Sequence, residues 1–181
     1  MQKLRGKYSC ILAGIGTVLA DDPLLTCRLP GSRNPVRIIC DSRGRIPEES
    51  QIVKTAGEVP TILACVEIEK EKKERLIKKG LEVLELPGEK EVNLKKLMEI
   101  LGGRKLDSVL IEGGGEINYA ALSAGLVNHI YAFVAPKVFG GAGKSPVAGS
   151  GVESPEEAFS FRLERSEIIG DDILLEYEKI R

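Results

Sequence analysis

Five short, almost continuously apolar segments constrain the fold of this chain more than any other feature. They are SCILAG (9–14), VRIIC (36–40), TILAC (61–65), LEVLEL (81–86) and SVLIE (108–112). Runs this short and this apolar are typical of strands buried on both faces of a sheet. Because polar, helix-forming sequence separates several of them, the pattern predicts strands alternating with helices around a mostly parallel sheet.

The segments between the strands carry helix signals. EKEKKERLIKK (69–79) places opposite charges four residues apart, as Glu69–Lys73, Glu71–Arg75 and Glu74–Lys78, which favours an exposed helix. Asn93 is suited to cap a second helix that Gly102 and Gly103 end, with an apolar stripe at Leu94, Leu97, Met98 and Leu101. After residue 127 the pattern changes, and segments 129–138, 161–170 and 171–180 predict strands that end the sheet in antiparallel fashion.

Charge, hydropathy and cysteine usage exclude several classes of function. The chain has 26 basic and 27 acidic residues with no long run of one sign, which gives no reason to expect nucleic acid or a membrane surface as partner. No apolar stretch reaches the length of a membrane-spanning helix. The four cysteines form no CxxC pair and only one histidine accompanies them, so we expect no metal site. Free thiols inside apolar strands favour a reducing cytosol.

The segment KYSCILAGIGTVLADDP (7–23) allows two incompatible interpretations. A basic start followed by an apolar run that ends in a small residue is the layout of a secretory signal peptide. The same letters also describe a buried strand followed by a catalytic loop, in which Gly14 and Gly16 bring the backbone close to a ligand. In that second interpretation Asp21 and Asp22 face the ligand.

The segment LIEGGGEINYAALSAGLV (110–127) runs from an apolar strand through three glycines into a helix. Backbone N–H groups at such a turn, together with the positive end of the helix, can meet a diphosphate at close range. The segment therefore predicts a dinucleotide-type site, with Glu112 pointing into the crevice. A purely structural role, as a tight turn, is about equally compatible with the glycines alone. We interpret the Gly- and Ser-rich stretch 140–155 as a mobile surface loop.

Four colinear segments together resemble one known family. ILAGIGTVLADDPLLTCRLPGSRNPVRIICDSRGRIP, LIEGGGEIN, AGLVNHIYAFVAPKVFGG and LERSEIIGDDILLEY are similar to the reductase domain of the riboflavin biosynthesis bifunctional deaminase-reductase. The resemblance implies a dihydrofolate-reductase-like α/β fold with helices on both faces of the sheet, and the use of NADPH to reduce 5-amino-6-(5-phosphoribosylamino)uracil. It also implies a cytoplasmic homodimer, and it replaces the signal-peptide interpretation with that of a strand and catalytic loop.

The family's zinc-binding deaminase motifs do not occur in the chain, so we expect no deaminase activity. The family's reductase domain normally begins with a further strand. We therefore expect residues 1–181 to form a single reductase domain that is truncated at its N-terminus and weakened in activity.

The resemblance also assigns residues. It implies cofactor contacts at Thr17, Asp21 and Ser42 and along the glycine turn and helix at Gly114, Gly115, Glu116, Ile117, Asn118, Tyr119 and Ala120. It implies substrate contacts at Arg5, Leu24, Arg28 and Glu112. We add Asp21 as the candidate proton donor, and Arg43 as a candidate partner of a 2′-phosphate.

Two other hypotheses remain at this point. The chain could be a reductase of the same fold that acts on a diaminopyrimidine or pterin-like substrate. It could also be a non-catalytic module for nucleotide binding or dimerisation.

Overall fold

The computed structural model describes residues 1–88, 90–138, 140 and 143–180. Its larger sheet has five parallel strands in the order β4-β3-β2-β1-β5. The strands are β1 Cys10–Gly14, β2 Val36–Cys40, β3 Thr61–Cys65, β4 Glu82–Glu85 and β5 Val109–Ile111. All five apolar segments therefore form strands of one parallel sheet, as the sequence predicts.

Six α-helices accompany the strands in the described part of the chain. They are α1 Gln2–Lys7, α2 Ile15–Asp21, α3 Gln51–Lys54, α4 Lys70–Lys78, α5 Leu94–Gly103 and α6 Gly115–Ser123. The predicted cap of α5 is confirmed, because the Asn93 side chain accepts a hydrogen bond from the backbone N–H of Lys96 at 3.0 Å. No described helix has the length and apolar character needed to cross a membrane.

Alternating residues of the central strands pack into two separate cores. Ile11, Ile39 and Leu63 lie in one core with apolar side chains of α2, α3 and α4. Leu12 and Ile38 lie in the other core with side chains of α5 and α6. Because successive strand residues point to opposite faces, both faces of the sheet are covered by helices, as the resemblance implies.

The C-terminal strands form a second, antiparallel sheet. They are β6 His129–Val134, β7 Phe161–Ile169 and β8 Asp172–Lys179, in the order β6-β8-β7. A 3₁₀ turn, Pro155–Glu157, precedes β7. The sequence prediction that these strands end the parallel sheet is wrong in one respect, since neither β5 nor any other described strand of that sheet is hydrogen-bonded to them.

Four local predictions need correction. Residues 15–21 form helix α2 rather than a loop, because Ile15 and Val18 are one turn apart and both are buried. The outer strands β4 and β5 are only partly buried, since each lies at an edge of the parallel sheet. Strand β6 ends at residue 134 instead of 138. On α4, Lys73 and Arg75 form ion pairs with Glu85 and Glu48 on other segments instead of pairs within the helix.

All four cysteines are free and buried, which leads to a prediction about thiol reactivity. Burial raises the pKa of Cys10 and Cys65 to about 11 and that of Cys40 to about 12. Because the thiolate is the reactive form, only about 0.1% of a thiol with a pKa of about 11 is ionised at pH 8. We expect these three thiols to react with a disulfide reagent far more slowly in the native protein than in denaturant. Rapid native labelling of Cys10, Cys40 or Cys65, located by mass spectrometry, would contradict the buried placement.

Candidate functional site

The candidate site lies at the carboxyl edge of the parallel sheet. Strands β2, β1 and β5 are neighbours in the sheet, so the segments that follow them meet at one edge. These segments are 41–43 after β2, 15–17 after β1 and 112–115 after β5. Open α/β sheets bind ligands in the crevice outside the carboxyl ends of their strands. The sheet order thus brings together three segments that were separately assigned to the site from the sequence.

The glycine turn after β5 is shaped for close approach to its backbone. Gly113 and Gly114 have φ angles of 117° and 85°, a region that residues with a Cβ rarely adopt. A Cβ on Gly113 would lie 3.0 Å from the hydroxyl oxygen of Thr17, whereas a Cβ on Gly114 would have its nearest neighbours at 3.8 Å. Helix α6 begins immediately afterwards at Gly115. The predicted cofactor residues Thr17 and Gly114 are therefore adjacent in space.

Three further predicted cofactor residues are in contact with segment 145–151. The carbonyl oxygen of Gly115 accepts a hydrogen bond from the N–H of Ala148 at 3.1 Å. The amide of Asn118 donates to the carbonyl of Pro146 at 2.8 Å, and the hydroxyl of Tyr119 donates to the carbonyl of Gly151 at 2.7 Å. This part of the predicted mobile loop 140–155 thus packs along α6, while residues 141 and 142 lie outside the described residues.

The other predicted residues of α6 have different surroundings. Ile117 reaches back to β1, since a Cβ on Gly14 would lie 2.8 Å from its side chain. Ala120 packs, partly buried, against the same core as Ala121. Glu116 lies in the first turn of α6, where a negative charge is stabilised by the helix dipole.

Two predicted substrate residues, Arg5 and Glu112, form an ion pair. The guanidinium of Arg5 donates to both carboxylate oxygens of Glu112, with Nε to Oε1 at 2.9 Å, and to the carbonyl of Thr26 at 3.0 Å. Only 15% of the Arg5 side chain and 13% of the Glu112 side chain are exposed. The hydrogen bonds to Glu112 raise the pKa of Arg5. Bidentate arginine–carboxylate geometry of this kind makes a strong ion pair.

Helix α1 also holds the segment that carries Arg28. The side-chain oxygen of Gln2 accepts a hydrogen bond from the N–H of Arg28 at 2.7 Å, and the backbone carbonyl of Gln2 accepts one from the thiol of Cys27 at 3.4 Å. The Arg28 side chain is exposed. Gln2 was not predicted from the sequence, since no local signal marks residues 2–7 as a helix that contacts residues 26–28.

The backbone carbonyl of Leu24 is held by a buried arginine, Arg37, that was also not predicted from the sequence. The guanidinium of Arg37 donates to the carbonyl of Leu24 at 3.2 Å, and Arg37 is completely buried. The next residue, Leu25, is 2% exposed and has a φ of 51°, an uncommon value for leucine. The backbone at residue 24 is thus held by Arg37 and by the buried Leu25, whereas Leu24 itself is 41% exposed.

Ser42 lies after β2 and joins two neighbouring segments. Its hydroxyl accepts a hydrogen bond from the N–H of Val92 at 3.2 Å, and its carbonyl accepts from the N–H groups of Val66 and Glu67. Before it, the buried carboxylate of Asp41 accepts from the N–H of Ile46 at 2.7 Å, and desolvation raises the Asp41 pKa. Arg43 is exposed at the crevice edge.

The two aspartates of the ADDP sequence differ in surroundings. Asp21 is exposed in the last turn of α2, four residues after Thr17, so both residues lie on the same face of that helix. Asp22 has a φ of 38°, and its carboxylate accepts a hydrogen bond from the N–H of Gln51 at 2.8 Å. Asp22 is therefore engaged with α3, whereas Asp21 remains the candidate with access to a ligand.

Fold and site together define an α/β protein with a glycine-lined crevice at the carboxyl edge of a parallel sheet. The model of the RibD C-terminal domain family matches residues 1–175. The chain therefore belongs to the RibD C-terminal domain family.

Curated relatives and solved structures agree with this assignment. The chain is 41% identical over 179 residues to the riboflavin biosynthesis protein RibD of Actinobacillus pleuropneumoniae, covering 98% of this chain and 48% of that protein. It is 34% identical over 182 residues to the 2,5-diamino-6-ribosylamino-4(3H)-pyrimidinone 5′-phosphate reductase of Methanothermobacter thermautotrophicus, covering 98% of this chain and 82% of that protein. The structure of Acinetobacter baumannii RibD superimposes with a TM-score of 0.85 at 27% identity, covering 98% of this chain and 48% of that one. The chain thus spans about half the length of the RibD proteins that it matches.

Proposed function

We propose that this protein reduces a phosphorylated ribosylaminopyrimidine with NADPH in riboflavin biosynthesis. The observation that carries the proposal is the crevice in which the glycine turn and Thr17 lie at the carboxyl edge, with the Arg5–Glu112 pair attached to the same strand end. Membership of the RibD C-terminal domain family supports it. The preferred substrate is 5-amino-6-(5-phosphoribosylamino)uracil, which would become the ribitylamino compound.

The residues of the crevice fit a dinucleotide cofactor. The glycine turn leaves open the space that a side chain on Gly114 would occupy, and the start of α6 offers its N–H groups to a diphosphate. Gly114 to Ala120, Thr17 and Ser42 are the proposed cofactor contacts, with Arg43 as the partner of a 2′-phosphate. When bound, NADPH supplies a hydride.

The substrate side of the proposal uses the residues around Glu112. Arg5 and Glu112 fix each other and present a rigid polar wall, while Leu24 offers an exposed apolar surface beside it. Among the described residues, Gln2 holds the backbone N–H of Arg28 and none holds its exposed side chain, which can therefore turn toward a phosphate. Charge-assisted hydrogen bonds from an arginine are well suited to that group.

Reduction also requires a proton. Opening of the ribose ring leaves an electron-poor C1′ that accepts hydride, and the ring oxygen takes up a proton as it becomes the ribityl hydroxyl. Asp21, or a water held by it, is the proposed donor because Asp21 is exposed on the same face of α2 as Thr17.

A second substrate has specific support. The Methanothermobacter relative, of which the chain covers 82%, is named as a reductase of the 2,5-diamino pyrimidinone compound. The two candidates differ in an amino group where the uracil has an oxygen. Purified protein should therefore be assayed for NADPH oxidation with each pyrimidine in parallel. We expect the uracil to be turned over faster, and the reverse order would assign the diaminopyrimidine.

The same assay addresses the non-catalytic alternative. Binding of NADPH without its oxidation by either pyrimidine would favour a nucleotide-binding or dimerisation module.

A homodimer and a cytoplasmic location remain predictions. The exposed apolar side chains on β7, among them Leu163 and Ile168 at 52% and 79% exposure, support the former.

A further inference from the structure

The turn that follows β2 is fixed to the protein at both ends. We refer to residues 41–46 as the arginine turn. At its start, the backbone N–H of Asp41 donates to the carbonyl of Ala64 in β3 at 2.9 Å. At its end, Ile46 is completely buried in the core that also holds Ile39. The arginine turn therefore has a defined position at the carboxyl edge of the parallel sheet.

Gly44 leaves the two arginines of the turn on its outer side. It has a φ of 59°, and a Cβ there would lie 2.7 Å from the side chain of Ile68. The carbonyl of Gly44 accepts a hydrogen bond from Nζ of Lys72 in α4 at 2.6 Å. Because Gly44 is buried against these neighbours, the flanking Arg43 and Arg45 are the exposed residues of the turn.

The carboxylate of Asp41 lies inside the arginine turn. Its side chain is completely buried, and Oδ2 accepts the hydrogen bond from the N–H of Ile46. Oδ1 accepts none from the residues that the structure describes, and Nε of Arg45 lies 3.6 Å from it. A buried carboxylate is costly unless an opposite charge compensates it. The charge of Asp41 therefore attracts the Arg45 guanidinium and restricts its orientation.

Both arginines of the turn keep donors for another partner. A guanidinium carries five N–H groups in a planar fork, and Nε is the nitrogen of Arg45 that lies closest to Asp41. Within the described part of the chain, no acceptor is hydrogen-bonded to the terminal nitrogens of Arg45 or to the side chain of Arg43. Arginine binds phosphate oxygens through parallel N–H groups, so this pair suits a phosphate monoester.

The position of the arginine turn fits one phosphate of the proposed cofactor. Strand β1 alone separates β2 from β5 in the sheet. Neighbouring strands are about 4.8 Å apart, so the end of β2 lies about 10 Å from the end of β5, where the glycine turn begins. A diphosphate at the start of α6 therefore leaves the attached adenosine ribose within reach of the arginine turn.

We propose that Asp41 is a positioning residue for the 2′-phosphate of the cofactor: its carboxylate holds Arg45 so that this guanidinium and that of Arg43 bind the phosphate together. The inference rests on the proposed NADPH dependence, and it adds Asp41 and Arg45 to the residues that favour NADPH over NADH. Asp41 is buried and acts through Arg45, which lies between the carboxylate and the exposed side of the turn.

Isothermal titration with NADPH and NADH tests the assignment, since the two cofactors differ only in the 2′-phosphate. Arg45→Ala should weaken NADPH binding by at least about tenfold, because charge-assisted hydrogen bonds to the phosphate are lost. Asp41→Asn keeps an oxygen for the N–H of Ile46 but loses the charge that orients Arg45. We expect it to weaken NADPH binding by about threefold to fivefold, as for loss of a partly exposed ion pair. Neither substitution should change NADH affinity.

A double variant shows whether Asp41 acts through Arg45. Asp41→Asn combined with Arg45→Ala should bind NADPH as weakly as Arg45→Ala alone, because Asp41 then has no guanidinium to position. Arg104→Ala is the matched control, since this exposed arginine pairs with Glu82 at 2.7 Å at the opposite, amino edge of the sheet. It should change the affinity of neither cofactor.

Circular dichroism checks that each variant is folded. Asp41→Ser, a smaller neutral side chain with an acceptor oxygen, is the second variant at this position and should show the same selective loss. The inference is overturned, with the proposed function intact, if neutral Asp41 variants leave NADPH affinity unchanged or weaken both cofactors equally. Unchanged NADPH affinity in Arg45→Ala, or additive losses in the double variant, would also overturn it. Absence of NADPH binding to the wild-type protein would overturn the proposed function and this inference together.

Discussion

Substitution of Gly114 by valine should abolish detectable NADPH binding. Gly114 has a φ of 85°. It lies beside Thr17, and the space that a branched side chain would fill there is open. The change therefore both strains the turn and blocks the approach of a diphosphate to the backbone. We expect an affinity loss of at least about 100-fold, since several charge-assisted hydrogen bonds to the backbone are lost together. Isothermal titration of NADPH into wild type and variant measures it.

A matched control separates strain from site blocking. Gly170, in the turn between β7 and β8, has a φ of 64°, and a Cβ added there would have no neighbouring atom within 4 Å. Gly170→Val also places a branched side chain at a positive φ, but away from the crevice. It should lower the melting temperature in the manner of Gly114→Val while leaving NADPH affinity unchanged. Normal affinity in a folded Gly114→Val protein would mean that the glycine turn has only a structural role.

Substitution of Arg37 by methionine should lower the free energy of unfolding by about 3–5 kcal/mol, because hydrogen bonds to a charged group contribute about 1.5–3 kcal/mol each and several are lost together. The Arg37 guanidinium donates hydrogen bonds to five oxygens, namely Thr61 Oγ1, Thr55 Oγ1 and the carbonyls of Leu24, Ile52 and Val59. None of these five acceptors is a carboxylate, and burial lowers the pKa of Arg37 to about 10, so it is still charged at neutral pH. Methionine fills similar space but removes all five of these hydrogen bonds, while the carbonyl of Val59 keeps the hydroxyl of Thr61 as a donor.

Urea unfolding of the Arg37 variants tests this assignment. Arg37→Lys should be intermediate, because an ammonium has three N–H donors for five acceptors. Arg33→Met removes an exposed arginine nearby in sequence and should change stability by less than about 0.5 kcal/mol. Equal, small effects for both methionine variants would show that the buried hydrogen bonds contribute little.

The parallel sheet was predictable because its strands are locally encoded. In β1, β2 and β3, apolar side chains occupy both faces of the sheet. Such strands are visible in the sequence as nearly continuous apolar runs, which can be recognised without knowing which strands pair. The same criterion overlooked Arg37, whose charge lies inside such a run and is satisfied by hydroxyls and carbonyls from residues 24 to 61. The charged residue within an otherwise apolar strand was the sequence signal that could have indicated this hydrogen-bond network.

Contacts distant in sequence could not be predicted in the same way. Arg5 and Glu112 are 107 positions apart, and their pairing depends on where α1 lies against the end of β5. The helical nature of residues 15–21 was visible in the spacing of Ile15 and Val18, but the glycines and aspartates around them favoured a loop. The separation of the two sheets also had no local signal, since each strand of the C-terminal sheet has an ordinary strand sequence.

The central claim, that the crevice transfers hydride from NADPH to a ribosylaminopyrimidine, is tested most directly by following the hydride itself. Enzyme in molar excess over 5-amino-6-(5-phosphoribosylamino)uracil is mixed with NADPH that carries deuterium on the transferable position of C4, and the product is analysed by mass spectrometry. These single-turnover conditions detect even slow reduction. We predict a ribitylamino product with one deuterium at C1′, and none with the Gly114→Val variant. Absence of labelled product from the wild-type protein with both this substrate and its diaminopyrimidine counterpart would contradict the assignment.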